Sequence, residues 1–224
     1  MRILLACPSR GRPASFREMV KSARRTANHS VRVMARLDGD DPELSRYHSI
    51  EHSTVGDRVS LPHAWNEIAD TRDYDILMMC ADDLRFRTTG WDDEVVKTFE
   101  QWPDRIGLVY ADDGVHGPRL ATHSFVSRQW IEAVGFYLPE QLTGDFVDNW
   151  LHGLAQSINR ITYLPRVYIE HLHPVVGKAQ MDDTYAYRLT GEGPRMAQDA
   201  WKGVLGSGVP EEARRKLREA ISES

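Results

Sequence analysis

The chain has 224 residues, 41% of them hydrophobic and 27% charged, the balance of a globular protein rather than a disordered one. Its apolar runs, such as 3–7 and 76–81, fall far short of the roughly 20 residues that cross a bilayer, and no cleavage-site pattern follows Met1. A cytoplasmic protein without a membrane span is therefore expected. The formal net charge of −5, with no long basic block, argues against a dedicated nucleic-acid binder; Arg10, Arg12, Arg17, Lys21, Arg24 and Arg25 read first as a solvated helix face.

Residues 2–7 are short, apolar and followed by the turn signal Pro8-Ser9-Arg10-Gly11-Arg12-Pro13, which predicts a buried strand. Phe16, Met19, Val20 and Ala23 at helical spacing predict a helix from about 13 to 27. Residues 31–37 alternate as a half-buried strand and run into the acidic turn Asp38-Gly39-Asp40-Asp41-Pro42. A weaker strand is expected over 48–55, a helix over 61–70, the strongest strand over 74–81, a helix over 90–102 and a strand over 106–111. Then come a strand at 121–127, a short helix at 128–134 closed by Gly135, a helix at 145–158 and a strand over 161–172 around Pro165. Residues 174–200 are expected to form a loop or lid with helical pieces, and 210–221 a charged, peripheral helix. Cys7 and Cys80 each sit in an apolar run, the setting of buried reduced thiols rather than of a disulfide.

This order implies an α/β fold with a mainly parallel sheet flanked by helices. Acidic residues stand where strands should end, at Asp38, Asp82-Asp83 and Asp112-Asp113. In open α/β sheets ligands bind outside the carboxyl ends of the strands, so separate segments deliver carboxylates to one edge.

Three segments could carry chemistry there. Asp82 and Asp83 are adjacent carboxylates that repel unless a cation offsets them, and hard ions such as Mg2+ or Mn2+ prefer oxygen ligands shared with phosphate; the alternative is a pair of solvated loop aspartates. His171 and His173 project to one face of an extended strand, a pattern of metal or phosphate contact, and one of them is expected to join Asp83 on the ion. Asp145 is a natural N-cap and Asp148 would lie in the first turn of the following helix. A carboxylate held there suits a general base, Asp148 first and Asp145 second.

In this order the segments resemble the GT-A glycosyltransferases of the large family-two type, over roughly residues 2–188. The first strand with its Pro8–Pro13 loop resembles that family's nucleotide loop, Leu37-Asp38-Gly39-Asp40 its second strand end, and Cys80-Ala81-Asp82-Asp83 its DxD segment with Ala81 where a carboxylate often stands. Residues 125–151 resemble the acceptor-side segment, with Asp145-Phe146 in place of the usual acidic pair, and residues 169–178 the closing metal-histidine and phosphate loop. The resemblance implies a GT-A domain over 1–188, with a nucleotide half to about 115 and an acceptor half beyond it, and a C-terminal helical extension over 189–224. It further implies a nucleotide-sugar donor, a UDP-sugar foremost, held by Pro8, Arg10, Asp38, Arg58, Asp82 and Lys178. Asp82 would face the ribose, while Asp83 with His171 or His173 would bind Mn2+ or Mg2+. A soluble acceptor is expected, a glycan or a hydroxylated base in modified phage DNA. A nucleotidyltransferase is the nearest other enzyme class, but its first loop is ordinarily Gly-rich and Lys-bearing. A non-catalytic nucleotide-sugar-binding module would have no use for a base at Asp145 or Asp148.

Overall fold

The computed structural model describes residues 1–47, 52–181 and 183–223. Eight strands form one sheet in the order β3-β2-β1-β4-β7-β6-β8-β5. They are β1 (Ile3–Ser9), β2 (Arg32–Asp38), β3 (Ser53–Gly56), β4 (Ile76–Met79), β5 (Leu84–Phe86), β6 (Leu108–Asp112), β7 (Phe125–Ser127) and β8 (Ile161–His171). The helices are α1 (Pro13–Thr26), α2 (Leu61–Ala69), α3 (Trp91–Phe99), α4 (Arg128–Val134), α5 (Val147–Ser157), α6 (Asp183–Leu189), α7 (Gly193–Gly206) and α8 (Val209–Ser222). The expected parallel arrangement holds from β3 through β2 and β1 to β4, and again between β6 and β8. Strand β7 reverses direction between β4 and β6, joining the two parallel blocks.

Strand β1 is apolar at nearly every position because it is central and covered on both faces. Its side chains alternate between two cores. Leu4 and Ala6, with Leu77 and Met79 of β4, pack against α2, α4, α5 and α8. Ile3, Leu5 and Cys7, with Ile76, Met78 and Cys80, pack against α1 and α3. Both cysteines are buried and unbridged, as their apolar settings predict. Pro13 sits in the first turn of α1, where its missing N–H costs nothing, and Arg24 and Arg25 lie at the negative end of its dipole. Gly135 closes α4 in the left-handed region at φ 96°.

Four expectations change. Residues 48–51 of the weaker strand lie outside the described residues, and β3 begins at Ser53. Strand β5, Leu-Arg-Phe, is too short to show periodicity; it is fixed by pairing antiparallel with the end of β8 and by the Phe86 N–H bond to Ser22 Oγ of α1 at 3.1 Å. Helix α5 starts at Val147, with Phe146 rather than Asp145 at its cap and no side-chain cap bond. Helix α8 is not peripheral: Ala213 and Leu217 are buried in the same core as Trp130 and Leu154. Lys216 and Arg218 also donate to the main-chain carbonyls of Val134 and Ser157, at 3.2 and 2.8 Å. No helix among the described residues is long and apolar enough to cross a membrane. Because Leu217 is fully enclosed, Leu217→Ala should cost about 2–5 kcal/mol in urea unfolding, whereas a merely appended helix would leave the midpoint unchanged.

Candidate functional site

Strand β4 ends in the core, and the chain turns through Asp82 and Asp83 before entering β5. Both aspartates are buried. Burial, and then repulsion from Asp83, push the Asp82 carboxyl up to about 6. Its Oδ2 accepts from Ser9 Oγ at 2.6 Å, and Ser9 Oγ lies 2.9 Å from the hydroxyl of Tyr47. Arg12 Nη1 lies 3.4 Å from Asp82 and 3.7 Å from Asp83, partly neutralising both. Asp83 goes the other way. Burial would raise it, but His171, His123 and a hydrogen bond from the Tyr185 hydroxyl together hold its carboxyl well below the usual range.

A bend in β8 brings the histidines in. The strand first pairs parallel with β6, slips register between Ala111 and Asp112 around Pro165, and then pairs antiparallel with β5. Its end is pinned by main-chain bonds from His171 to Asp113 and from Leu172 to Asp83, each 3.0 Å. His171 Nε2 thereby lies 3.6 Å from Asp83 Oδ2. The His173 ring packs on His171 at 5.1 Å, and its Nδ1 accepts from the N–H of Val175 at 3.2 Å, leaving Nε2 as its outward nitrogen.

His123 was not anticipated. It sits edge-on to His171 at 4.7 Å in a left-handed backbone at φ 49°, and burial lowers its pKa to about 3. A non-glycine residue there stores strain of about 1–3 kcal/mol, a cost concentrated at functional sites. No local pattern marks it, since Ala-Thr-His-Ser reads only as strand.

The nucleotide end of the expected site lies along β1 and β2. Pro8, Arg10, Asp38 and Asp82 all line one cavity of about 420 Å³. Arg10 Nη1 donates to Asp38 at 3.2 Å and also pairs with Asp40. Behind them, Arg36 has a side chain only 3% exposed. It pairs with Glu67 and donates to the carbonyls of Leu37 and Asp57 at 2.7 and 2.6 Å. Trp65 lines the same wall, its indole N–H bonded to the Ala6 carbonyl at 3.0 Å. Arg58 and Lys178 are not among the lining residues. Arg58 is exposed, and Lys178 Nζ bonds Glu170 at 2.9 Å and the Tyr168 hydroxyl at 3.2 Å.

Asp148 lies in the first turn of α5 and lines the same cavity. Burial pushes its carboxyl up to about 6. Asp145 is not in that lining; it lines an adjoining groove of about 320 Å³, shared with Asp148, and is bound by Arg188, whose Nε is 3.0 Å away. Between the two aspartates Phe146 is left-handed, φ 65°, and stacks on Trp201 at 5.6 Å.

Four polar atoms around the main cavity are buried without a hydrogen-bond partner: Asp83 Oδ1, His123 Nδ1, Asp148 Oδ1 and His171 Nδ1. Buried polar atoms are nearly always satisfied, and those at this cavity suit a polar or charged ligand. Asp83 and His171 fit a divalent cation by donor type and separation. The ligand atoms of Asp83, His171 and His173 do not all come within 4.8 Å of one another, the spacing met among the described residues by His29, Asp92 and Asp93. That second group is occupied structurally. Asp92 accepts the N–H groups of Asn28 and His29 at 2.9 Å each, and Asp93 holds their side chains at 2.6 and 2.9 Å. It therefore ties the end of α1 to the start of α3, at the amino edge of the parallel strands.

Asp113 holds the loop that brings Val115 and His116 to the cavity. Burial raises its pKa, but the N–H groups of Val115, His116 and Gly117 and the hydroxyl of Thr122 outweigh that and lower it. A depressed carboxyl contributes stability that is present above its unfolded pKa of about 4 and lost as pH falls through the folded value. Asp113→Ala should cost about 1.5–3 kcal/mol at neutral pH, and Asp113→Asn should flatten the acid limb of a stability–pH curve. An unchanged acid limb would show that these bonds do not favour the ionised form.

No protein-family model matches the chain, and no curated protein matches it. Solved structures do. TarS 1-349 of S. aureus in complex with UDP-GlcNAc superposes with a TM-score of 0.64 at 10% identity, covering 99% of this chain and 72% of that one. The mannosyltransferase PcManGT of Pyrobaculum calidifontis, in complex with GDP-Man and Mn2+, gives 0.58 at 12% identity, covering 100% and 76%. A mycobacterial protein gives 0.60 at 12% identity, covering 89% and 74%. At these identities the likeness is one of fold, and the chain has the GT-A fold of nucleotide-sugar glycosyltransferases.

Proposed function

We propose that the protein is a glycosyltransferase that moves a sugar from a nucleotide-sugar donor to an acceptor hydroxyl with the help of Mn2+ or Mg2+. The observation that carries this reading is the convergence on one cavity, at the carboxyl edge of the parallel strands, of a buried carboxylate pair, four histidines and a separate carboxylate at a helix start. Fold neighbours solved with UDP-GlcNAc and with GDP-Man and Mn2+ support the donor class. A UDP-sugar is the first donor to test.

Within this reading, residues 1–115 hold the nucleotide and 116–188 the acceptor. Pro8, Arg10 and Asp38 frame the base end, and Asp82 lies toward the ribose with Ser9 as its donor. Asp83 and His171 are the protein ligands of the cation, with His173 next in reach; a nitrogen ligand favours Mn2+ over Mg2+. When bound, the cation stabilises negative charge on the departing diphosphate. Asp148, closer to the donor cavity than Asp145, takes the proton of the acceptor hydroxyl. Its burial serves that role, because a carboxyl near pH 6 is a stronger base than an ordinary one yet is ionised at neutral pH. Arg58 and Lys178 would reach a donor only by leaving the positions described above. The acceptor is a soluble glycan in the first instance, with a hydroxylated DNA base as the second arm of an acceptor screen.

A panel of UDP-, GDP- and CDP-sugars with Mn2+ tests the donor class. At about a hundredfold excess over Kd, the right donor should raise Tm by roughly 5–10 °C, and chelation should reverse the shift. Asp83→Asn should abolish Mn2+-dependent turnover of that donor, and turnover surviving in this variant would remove Asp83 from the site. A base works ionised, so kcat should rise as pH passes upward through about 6 and then level off. Asp148→Asn should lower kcat by about 10²–10⁴-fold with donor affinity retained. A full rate in Asp148→Asn would move the base to Asp145 or to the acceptor itself.

A further inference from the structure

Helix α6 lies far along the chain from the carboxylate pair, yet it contributes the closest contact to it. The Tyr185 hydroxyl donates to Asp83 Oδ2, and the Tyr185 side chain is buried. Its ring is held on two sides: the Arg12 guanidinium lies 4.8 Å from the ring centroid, and the His173 ring stands edge-on at 4.8 Å. Three residues on, Arg188 bonds Asp145 from the same helix, its Nε at 3.0 Å.

A carboxylate offers two oxygens and rotates unless one is fixed. Here Oδ2 faces three groups, the Tyr185 hydroxyl, Arg12 Nη1 at 3.7 Å and His171 Nε2 at 3.6 Å. The other oxygen, Oδ1, is buried with no partner. Such an arrangement fixes the plane of the carboxylate and leaves one oxygen committed to something else. Groups that hydrogen-bond a ligating carboxylate orient it and typically govern metal affinity by about 10–100-fold.

We propose that Tyr185 is a positioning residue for the divalent cation: by holding Asp83 Oδ2 it presents Oδ1 to the ion, and so ties docking of α6 to occupation of the cation site. This rests on the reading of Asp83 as a cation ligand. A hydroxyl that merely competed with the ion for Asp83 would have the opposite effect, and its removal would tighten binding. Reciprocity requires that if docked α6 favours the ion, the ion favours docked α6 by the same factor.

The test is a Mn2+ titration of the full chain, followed by the electron-paramagnetic-resonance signal of the free ion, for the unmutated protein, Tyr185→Phe and Asp83→Asn. Tyr185→Phe removes only the hydroxyl and should weaken Mn2+ binding by about 10–100-fold with an unchanged circular-dichroism spectrum, while Asp83→Asn should abolish saturable binding. Equal or tighter binding by Tyr185→Phe, with Asp83→Asn still inert, overturns the role of Tyr185 and leaves the cation site standing. No saturable binding by the unmutated chain, or undiminished binding by Asp83→Asn, overturns both. Should Tyr185→Phe fail to fold, amide exchange over 183–189 in the unmutated chain decides the matter. Slower exchange with Mn2+ supports the proposal, and equal or faster exchange overturns it.

Discussion

Two adjacent carboxylates, taken out of water at the end of a central strand, are the constraint around which this structure is arranged. Left alone, the pair would repel itself and pay for its own dehydration. The chain divides the compensation. Asp82 accepts from the Ser9 hydroxyl and, at 3.4 Å, from Arg12 Nη1, and its carboxyl is still pushed up to about 6 by burial and by its neighbour. Asp83 is surrounded by histidines and a tyrosine hydroxyl and is held ionised despite burial. Asp83 is thereby held as an anion facing a polar cavity, whereas the Asp82 carboxyl beside the Pro8–Pro13 loop, raised to about 6, gives up its proton far less readily. That asymmetry is the physical basis for giving the two residues different roles.

Meeting this constraint takes distant parts of the chain. Strand β8 bends near Pro165, leaves its parallel partner β6 and crosses to β5, and this alone carries His171 to Asp83. Helix α6 adds Tyr185 and Arg188, which reach Asp83 and Asp145 respectively. Asp113 caps the loop after β6 and, through its carbonyl, holds the His171 N–H. The groups around the cavity are thus held by connected elements, and α8 joins them through Leu217, which shares a core with the lining residues Trp65 and Val147.

Much of the scaffold was legible in the sequence because its elements carry strong local signals. The apolar runs of β1 and β4, the helical spacing in α1 and the Gly135 stop each have a local physical cause, and carboxylates at successive strand ends marked the edge where the cavity lies. What escaped was tertiary in origin. Strand β5 has three residues and no period; His123 and Tyr185 sit in unremarkable contexts and gain their setting only from the packing of other elements. Arg12 was visible as one basic residue among several, but nothing local distinguishes it from Arg17, which bonds the Arg46 carbonyl. Lys178 and Arg58 lie outside the cavity lining for the converse reason: charge near a motif says nothing of direction, and Glu170 pairs with the lysine. Asp145 looked like a cap, but the left-handed turn at Phe146 moves the helix start beyond it and gives its carboxylate to Arg188.

The central claim is that Asp83 and His171 form a cation site belonging to a nucleotide cavity. Crystals grown with Mn2+ and UDP, with data collected at the manganese absorption edge, test it most directly. The account predicts one strong anomalous peak within about 2–2.6 Å of an Asp83 oxygen and close to His171, with the diphosphate density beside it. A peak at His29, Asp92 and Asp93 with none at Asp83, or nucleotide density elsewhere, would contradict it.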